Sequence, residues 1–380
     1  MRDAVIVDAV RTPVGRRNGA YKDIHPVDLS AHVLNSLIER TGIDPTIIDD
    51  VVWGCVSQVG EQGLNVGRNA VLAAGWPESV PGTTVDRQCG SSQQAVHFAA
   101  AGVLSGQYDI AVAGGVEVMT RVPMGSSLGK DAGFPFGPKM LKRYEGQSIN
   151  QGLGAEMIAE KWNLSRQQLD EFSLSSHEKA AKAIDAGAFE AQYTYVPGTD
   201  LRVEEGVRRD TTVEKLGTLK PAFKEDGVIH AGNSSQISDG SGALLITTSE
   251  KARELGLKPL VRLTHFALAG EDPVIMLTAP IPATAKVLAK SGLSINEIGA
   301  FEINEAFAPV PLAWLSETGA DVAKLNPLGG AIAIGHPLGG SGAVLMTRLV
   351  HHMVDNGLRY GLQSMCEGGG MANATILELL

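Results

Sequence analysis

The 380-residue chain repeats part of itself about 250 residues further on. Residues 40–53 and 290–303 share one pattern, in which Gly42 corresponds to Gly292, Ile43 to Leu293, Ile48 to Ile298 and Val51 to Phe301. Val33, Leu34, Leu37 and Ile38 lie at helical spacing before the first glycine, and Val287 and Leu288 precede the second. Each copy then runs into a short apolar strand. A second pair of segments, 108–115 and 360–367, stands at an offset of 252 residues (Tyr108 to Tyr360). Two matches at nearly one offset predict a duplicated α/β unit. Alternating strands and helices predict mainly parallel sheets covered on both faces. Residues 119–237 break the pattern with Pro123, Pro135, Pro138 and clustered basic residues. Helices are expected there over 154–162 and 165–186. An ordered insertion of this length is expected to serve as a lid or binding loop.

The net charge of −10 argues against general nucleic-acid binding, which needs a basic face to displace counterions. A local basic pocket for an anionic small molecule is still compatible with it. Three cysteines, Cys55, Cys89 and Cys366, form no close pair, and no CxxC or HExxH spacing occurs. Neither a disulfide framework nor a zinc site is expected, and no other metal site. The N-terminal run reads as a strand rather than a signal peptide, and no apolar stretch is long enough to cross a bilayer. The last residues carry no peroxisomal Ser-Lys-Leu address. A reducing, cytoplasmic setting is expected, away from membranes.

Cys89 precedes a small, apolar run that reads as a buried helix ending near Ser105-Gly106. Free N–H groups and the positive dipole end there would stabilise a thiolate, which suits covalent catalysis; a buried structural cysteine is the other reading. His336, flanked by Gly335 and Pro337, is expected on a rigid turn between a strand and a helix, where an imidazole can act as base. The glycine-rich run 329–342 could also cradle a phosphate, but it lacks the lysine of a P-loop, and Gly125–Asp131 is another near miss. Cys366 stands before Glu367-Gly368-Gly369-Gly370, where close backbone approach and free N–H groups can meet an oxyanion; it either exchanges a proton or is structural. Asn304 either orients a water or caps a helix. Cys55 is expected in the core, and His351-His352 on a solvated helix face rather than as a ligand pair. Arg202, Arg208, Arg209, Lys215, Lys220 and Lys224 form either a solvated surface or a dock for phosphates.

Taken in order, Val10–Pro13, Cys89-Gly90-Ser91, Gly232–Ser235, Asn304–Phe307, Gly330–Gly342 and Cys366–Gly370 resemble the thiolase family, the acetyl-CoA acetyltransferases and 3-ketoacyl-CoA thiolases. The resemblance spans essentially the whole chain. It implies a duplicated α/β core in five layers, αβαβα, with an inserted loop domain. The halves would be residues 1–118 with 238–259, and 260–380, and the insertion 119–237 would bind coenzyme A and acyl groups. It implies that Cys89 is acylated, that His336 activates it and that Cys366 is the second acid/base. Asn304, through a water, and His336 would form one oxyanion hole, and the N–H groups of Cys89 and Gly368 the other. Ser235 matches a serine that contacts coenzyme A, Arg208 falls near an arginine of the nucleotide loop, and Ala306 and Phe307 fall in the coenzyme A-binding block. Coenzyme A would be a co-substrate, with no permanently bound cofactor, and the chain a homodimer or homotetramer.

The implied reaction is thiolytic cleavage of a 3-oxoacyl-CoA to acetyl-CoA and a shortened acyl-CoA. Biosynthetic relatives often carry a His-Met pair that narrows the acyl pocket, and here Asn150-Gln151 align with it. Asp86–Gln94 and Met365–Gly370 are most similar to thiolases acting on steroid side chains. A degradative enzyme with a bulky acyl group is therefore expected. The alternatives are an acetoacetyl-CoA-forming acetyltransferase, a ketoacyl synthase, which would not place Cys366 at the second acid/base position, a simple thiol hydrolase, which leaves Cys366 unused, and a non-catalytic acyl-CoA or lipid carrier.

Overall fold

Short apolar strands and helices with one greasy face can be buried together only in layers. The computed structural model describes residues 2–128 and 133–380, so Gly129, Lys130 and Asp131 of the P-loop near miss lie outside the described residues. The first half runs β1 (Val5–Arg11), β2 (Gly15–Arg16), α1 (Pro26–Thr41), β3 (Asp50–Gly54), α2 (Val66–Ala73), β4 (Gly82–Val85), α3 (Ser91–Ser105) and β5 (Ile110–Val118). The insertion holds α4 (Pro138–Arg143), α5 (Gln151–Lys161), α6 (Arg166–Asp185) and α7 (Val213–Gly217). The chain returns through β6 (Ser238–Thr247) and α8 (Ser249–Glu254). The second half runs β7 (Val261–Gly270), α9 (Pro280–Ser291), β8 (Ala300–Ile303), α10 (Pro309–Thr318), α11 (Ala331–Ile334), α12 (Ser341–Asn356), β9 (Tyr360–Glu367) and β10 (Met371–Leu379).

The duplication holds at the level of hydrogen-bond register. Asp50 pairs with Ala111 in the first half, and Ala300 pairs with Gly361 in the second, both positions displaced by 250 residues. Gly42 and Gly292 close α1 and α9 in the left-handed region, at φ 69° and 72°, where glycine carries no Cβ penalty. Leu325, bridged in parallel to Phe301, stands where β4 stands in the first half.

The strands follow the order β4-β3-β5-β6-β1-β7-β10-β9-β8. The two half-sheets meet at a short seam, Val5 with Arg262 and Ile6 with Val261. The expectation of mainly parallel pairing is corrected here. β3–β4, β3–β5 and β8–β9 are parallel, whereas β6 and β10 each return antiparallel to both neighbours. Apolar runs report burial on both faces, which a mixed sheet covered by helices also requires.

Five layers result. Leu34 and Leu37 of α1 and Val66 of α2 cover the outer face of the first sheet around Trp53. α3 and α12 lie between the sheets: Val96, Val103, Met346 and Leu349 share one core with Leu244 of the first half and Leu377 of the second. α9 and α10 close the far side, with Val287 and Trp314 against Phe301. α3 is buried along most of its surface and leaves one exposed, largely apolar edge at Phe98, Ala101 and Leu104.

The insertion is anchored on β1 by a fully buried ion pair. Arg11 Nη1 donates to Glu204 Oε1 at 2.6 Å, Val14 N–H donates to Glu204 Oε2, and the Arg11 guanidinium lies beside the Phe189 and Tyr193 rings. His351 is buried rather than solvated and meets the carbonyl of Ala9 at 3.0 Å.

Candidate active site

The end of β4 turns sharply into α3, and Cys89 rides on that turn. Gln88 there adopts φ +48°, a costly left-handed conformation for a residue with a side chain. It is held from both sides: Gln88 N–H donates to Asp86 Oδ1 at 2.7 Å, and Arg87 N–H donates to Ser91 Oγ, whose hydroxyl donates back to Gln88 O. Cys89 is only 4 % exposed and packs in one apolar cluster with Leu338 and Met365.

His336 follows α11 rather than a strand. Gly335 sits at φ +111°, and a Cβ there would overlap Ser238 Oγ, so this turn demands glycine. His336 N–H is shared between Gln236 O and Ser238 Oγ, both at 3.2 Å. The ring's tautomer follows from its neighbours. Ser341 Oγ–H donates to Pro337 O at 2.9 Å, so Ser341 Oγ accepts from His336 Nδ1–H at 2.6 Å. Nε2 is left with its lone pair, facing Asn304 Nδ2–H at 3.4 Å. An imidazole so held presents Nε2 as a base.

Asn304 directly follows β8 instead of capping a helix, and its N–H donates to Ser364 O at 3.1 Å, extending the parallel β8–β9 pairing. Its Oδ1 is buried without a partner. Cys366 lies within β9, fully buried, with the Ala306 N–H against its thiol and Cys89 close enough to couple electrostatically. Gly368 follows directly beyond the strand end, beside Gln88 Oε1.

Charge does not follow the helix dipole. Burial, helped by the Glu367 carboxylate, pushes the Cys89 thiol up to about 12, and its own backbone N–H only partly opposes this. Burial, with Cys89 and Glu367, also drives Cys366 well above the usual thiol range. Burial lowers His336 to about 4. Desolvation thus opposes the dipole at this helix end, and burial favours two thiols and a neutral imidazole.

Two residues that sequence reasoning missed position this centre. One is Ser341. The other is Glu117 in β5, whose carboxylate accepts from Val56 N–H, Ser57 N–H, Gln62 Nε2 and, at 2.8 Å, Gly339 N–H. It ties the loop after β3 to the turn after His336. Glu117 lies 250 residues before Glu367, so the repeat itself carried the signal.

Ser235, Ala306 and Phe307 come together. Ser235 N–H donates to Ala306 O at 2.9 Å, Ser234 bridges Phe307, and Ala308 N–H donates to Asn233 O. Phe307 meets Phe223 edge-on at 5.9 Å. Arg208 lies apart, exposed beside a cavity of about 390 Å³ with Arg16, Arg209 and Gln236. Arg209, Lys215 and Lys224 are paired with Asp185, Asp210 and Asp226, whereas Arg208 has no ion pair among the described residues. Asn150 caps α5, its Oδ1 accepting from Gly152 and Leu153 N–H. Next to it a cavity of about 510 Å³ is lined by Leu153, Met157, Val274 and Lys224.

The thiolase N-terminal domain model matches residues 4–250 and the thiolase C-terminal domain model residues 257–379. The steroid 3-ketoacyl-CoA thiolase FadA6 of Mycobacterium tuberculosis is 50% identical over 388 residues, covering 100% of this chain and 95% of that protein. A 3-ketoacyl-CoA thiolase of Aliivibrio fischeri is 42% identical, with both chains covered in full. The crystal structure of the Bacillus anthracis acetyl-CoA acetyltransferase superposes with a TM-score of 0.92 at 38% identity, covering 100% of this chain and 99% of that one. With the duplicated five-layer fold and matches running from end to end, the chain belongs to the thiolase family.

Proposed function

We propose that the chain is a 3-ketoacyl-CoA thiolase working in the degradative direction on a bulky acyl group such as a steroid side chain. The observation that carries the reading is the pair of buried, electrostatically coupled thiols, Cys89 and Cys366, beside a base of defined tautomer. Cys89 Sγ attacks the 3-keto carbon as its proton passes to His336 Nε2. The C2–C3 bond then breaks, and its electron pair forms the acetyl-CoA enolate, which takes a proton from Cys366. Coenzyme A gives its thiol proton to Cys366, attacks the Cys89 thioester and leaves as the shortened acyl-CoA, and Cys89 regains its proton from His336. Because both thiols start neutral, proton transfer accompanies attack rather than preceding it.

Charge develops on two oxygens in turn. The buried Asn304 Oδ1 can accept from a water that, with His336, serves one, and the N–H groups of Cys89 and Gly368 serve the other. Ser235, Ala306, Phe307 and Arg208 contact coenzyme A, the only cofactor-like molecule the reaction needs.

The capping role of Asn150, the nearby cavity of about 510 Å³ and the name of the Mycobacterium tuberculosis relative support a large acyl group. The name of the Bacillus anthracis acetyl-CoA acetyltransferase, which shares the fold, supports the acetyltransferase alternative. The catalytic halves are residues 1–118 with 238–259, and 260–380, around the inserted 119–237; β5 ends at Val118 and β6 starts at Ser238. A cytoplasmic homodimer or homotetramer completes the reading; no helix among the described residues is long and apolar enough to cross a membrane.

Coenzyme A-dependent cleavage of acetoacetyl-CoA and of a steroid-side-chain 3-oxoacyl-CoA, measured side by side, tests this. A higher kcat/KM for the bulky substrate is expected. Cleavage of acetoacetyl-CoA alone would discard the steroid assignment, and cleavage of neither would overturn the thiolase activity.

A further inference from the structure

The two halves place a glutamate at the same register position, and only one of the pair is satisfied. Glu117 on β5 accepts four N–H donors, from Val56, Ser57, Gln62 and Gly339. Displaced by 250 residues, those donors become Ala306, Phe307, Leu312 and Cys89. Gln62 has thus become a leucine with no donor, Gly339 has become the nucleophile, and the Ala306 N–H is turned to the Cys366 thiol. Glu367 remains on β9, fully buried, and neither carboxyl oxygen has a partner at hydrogen-bond geometry.

Glu367 lies against the turn that carries Cys89: a Cβ on Gly90 would overlap its Oε1, and Asn373 Nδ2 lies beside the same spot and donates to Gly90 O. Its charge reaches both thiols. The charged groups facing it from the β4–α3 turn are Arg87, whose Nε is buried without a partner, and Asp86; β10 contributes the Asn373 backbone N–H. Cys89 and Cys366 are the other titratable neighbours.

We propose that Glu367 is a positioning residue that acts as a neutral carboxylic acid, leaving Cys89 and Cys366 free to carry transient negative charge and opposing that charge once it ionises. The reaction passes through a thiolate-like Cys89, an oxyanion and an enolate, and a carboxylate against Gly90 would repel the first of these directly. Burial pushes the carboxyl up to about 8, against the pull of Arg87, so the neutral form prevails at neutral pH and is lost in mildly alkaline solution.

The inference rests on Cys89 and Cys366 being the reacting thiols, and its main readout needs no turnover. Alkylation of Cys89 by iodoacetamide, located by peptide mass spectrometry, is followed from pH 6 to 10 in the wild type and in Glu367→Gln. Removing the carboxylate is expected to speed alkylation about tenfold at pH 9, the effect of one lost like-charge coupling of about one pKa unit, and to change it little at pH 6. Thiolysis should lose its alkaline decline above about pH 8 in the same variant. Arg87→Gln, which removes the one cation facing Glu367 among the described residues, should move that decline to higher pH, and it decides the question if Glu367→Gln does not fold. Superimposable alkylation profiles, or a decline unmoved by whichever variants fold, would overturn the proposal. Normal alkylation shifts without cleavage of any 3-oxoacyl-CoA would instead overturn the thiolase reading alone.

Discussion

Ser341 fixes which nitrogen of His336 carries the proton, so Ser341→Ala is a perturbation of the base that leaves the base in place. In the native site the Nδ1–H donates to Ser341 Oγ at 2.6 Å, and both residues are buried, at 3 % and 1 % exposure. Deleting the hydroxyl strands a buried N–H, which costs about 1–3 kcal/mol. The ring can escape by moving its proton to Nε2, but there it meets the Asn304 Nδ2–H, donor against donor. Either way the state with a free Nε2 lone pair is penalised. At about 1.4 kcal/mol per factor of ten, acylation of Cys89 should slow by about 5-fold to 140-fold.

The assay is rapid-quench mass spectrometry of acyl-Cys89 with saturating 3-oxoacyl-CoA, alongside 15N chemical shifts of His336. Slower acylation with an altered ring-nitrogen pattern is the expected result. An unchanged acylation rate with His336 still protonated on Nδ1 alone would refute the argument that the serine sets the tautomer.

Cys89→Ala should abolish the acyl-enzyme, whereas Cys366→Ala should still acylate at Cys89 but lose C–C cleavage; full acylation of the first variant at another residue would reverse the assignment. Gly342 packs where α12 crosses α3, and a Cβ there would overlap the backbone N of Gln93, with Gln93 Cα at 3.0 Å. Gly342→Ala should therefore cost about 1–3 kcal/mol or more, read as a lower urea midpoint, and an unchanged midpoint would contradict the close crossing. Burial lowers His97 to about 3 and both His177 and His336 to about 4, all below the unfolded value of about 6.5. Neutral histidines of this kind stabilise the fold above that unfolded value. Each of these histidines should take about 1.4 kcal/mol from stability per pH unit between about 6.5 and 4, and a pH dependence of the urea midpoint left unchanged by His97→Gln would count against it.

The parts legible in the sequence are those set by local rules. Gly42 and Gly292 mark helix ends because only glycine occupies that backbone region freely, and α3 stops at Ser105 for the same reason at Gly106. Asn150 capping α5 is local too, although its position matches that of the His-Met pair in biosynthetic relatives. Strand direction was not legible, because β6 and β10 show the same apolar runs whichever way they travel. Nor was the charge of Cys89: the turn is visible in the sequence, whereas its burial comes from Leu338 and Met365, which are remote in the chain. Glu117 and Gly339 stand 222 residues apart, and no local pattern announces that bond.

The comparison of the two copies explains why the centre lies on one side of the duplication. In the first copy the space at the strand ends is closed. A Cβ on Gly54 would strike the Ser92 backbone and lie 2.7 Å from Gly339 O, and one on Gly115 would lie 2.5 Å from the same carbonyl. In the second copy the positions 250 residues on are Asn304 and Met365, which do carry side chains, and the partner turn holds Cys89 where the first copy's partner holds Gly339. The first copy thus trades side chains for close backbone packing, with Glu117 satisfied by its donors. The second keeps the room, and the room is filled by an amide facing His336, a thiol on each side and an unsatisfied glutamate. Substitutions at equivalent positions should therefore separate by consequence. Enlarging Gly54 or Gly115 damages folding, because the backbone has nowhere to go. Altering Asn304 or Glu367 leaves the layers standing and changes which charges the site can bear.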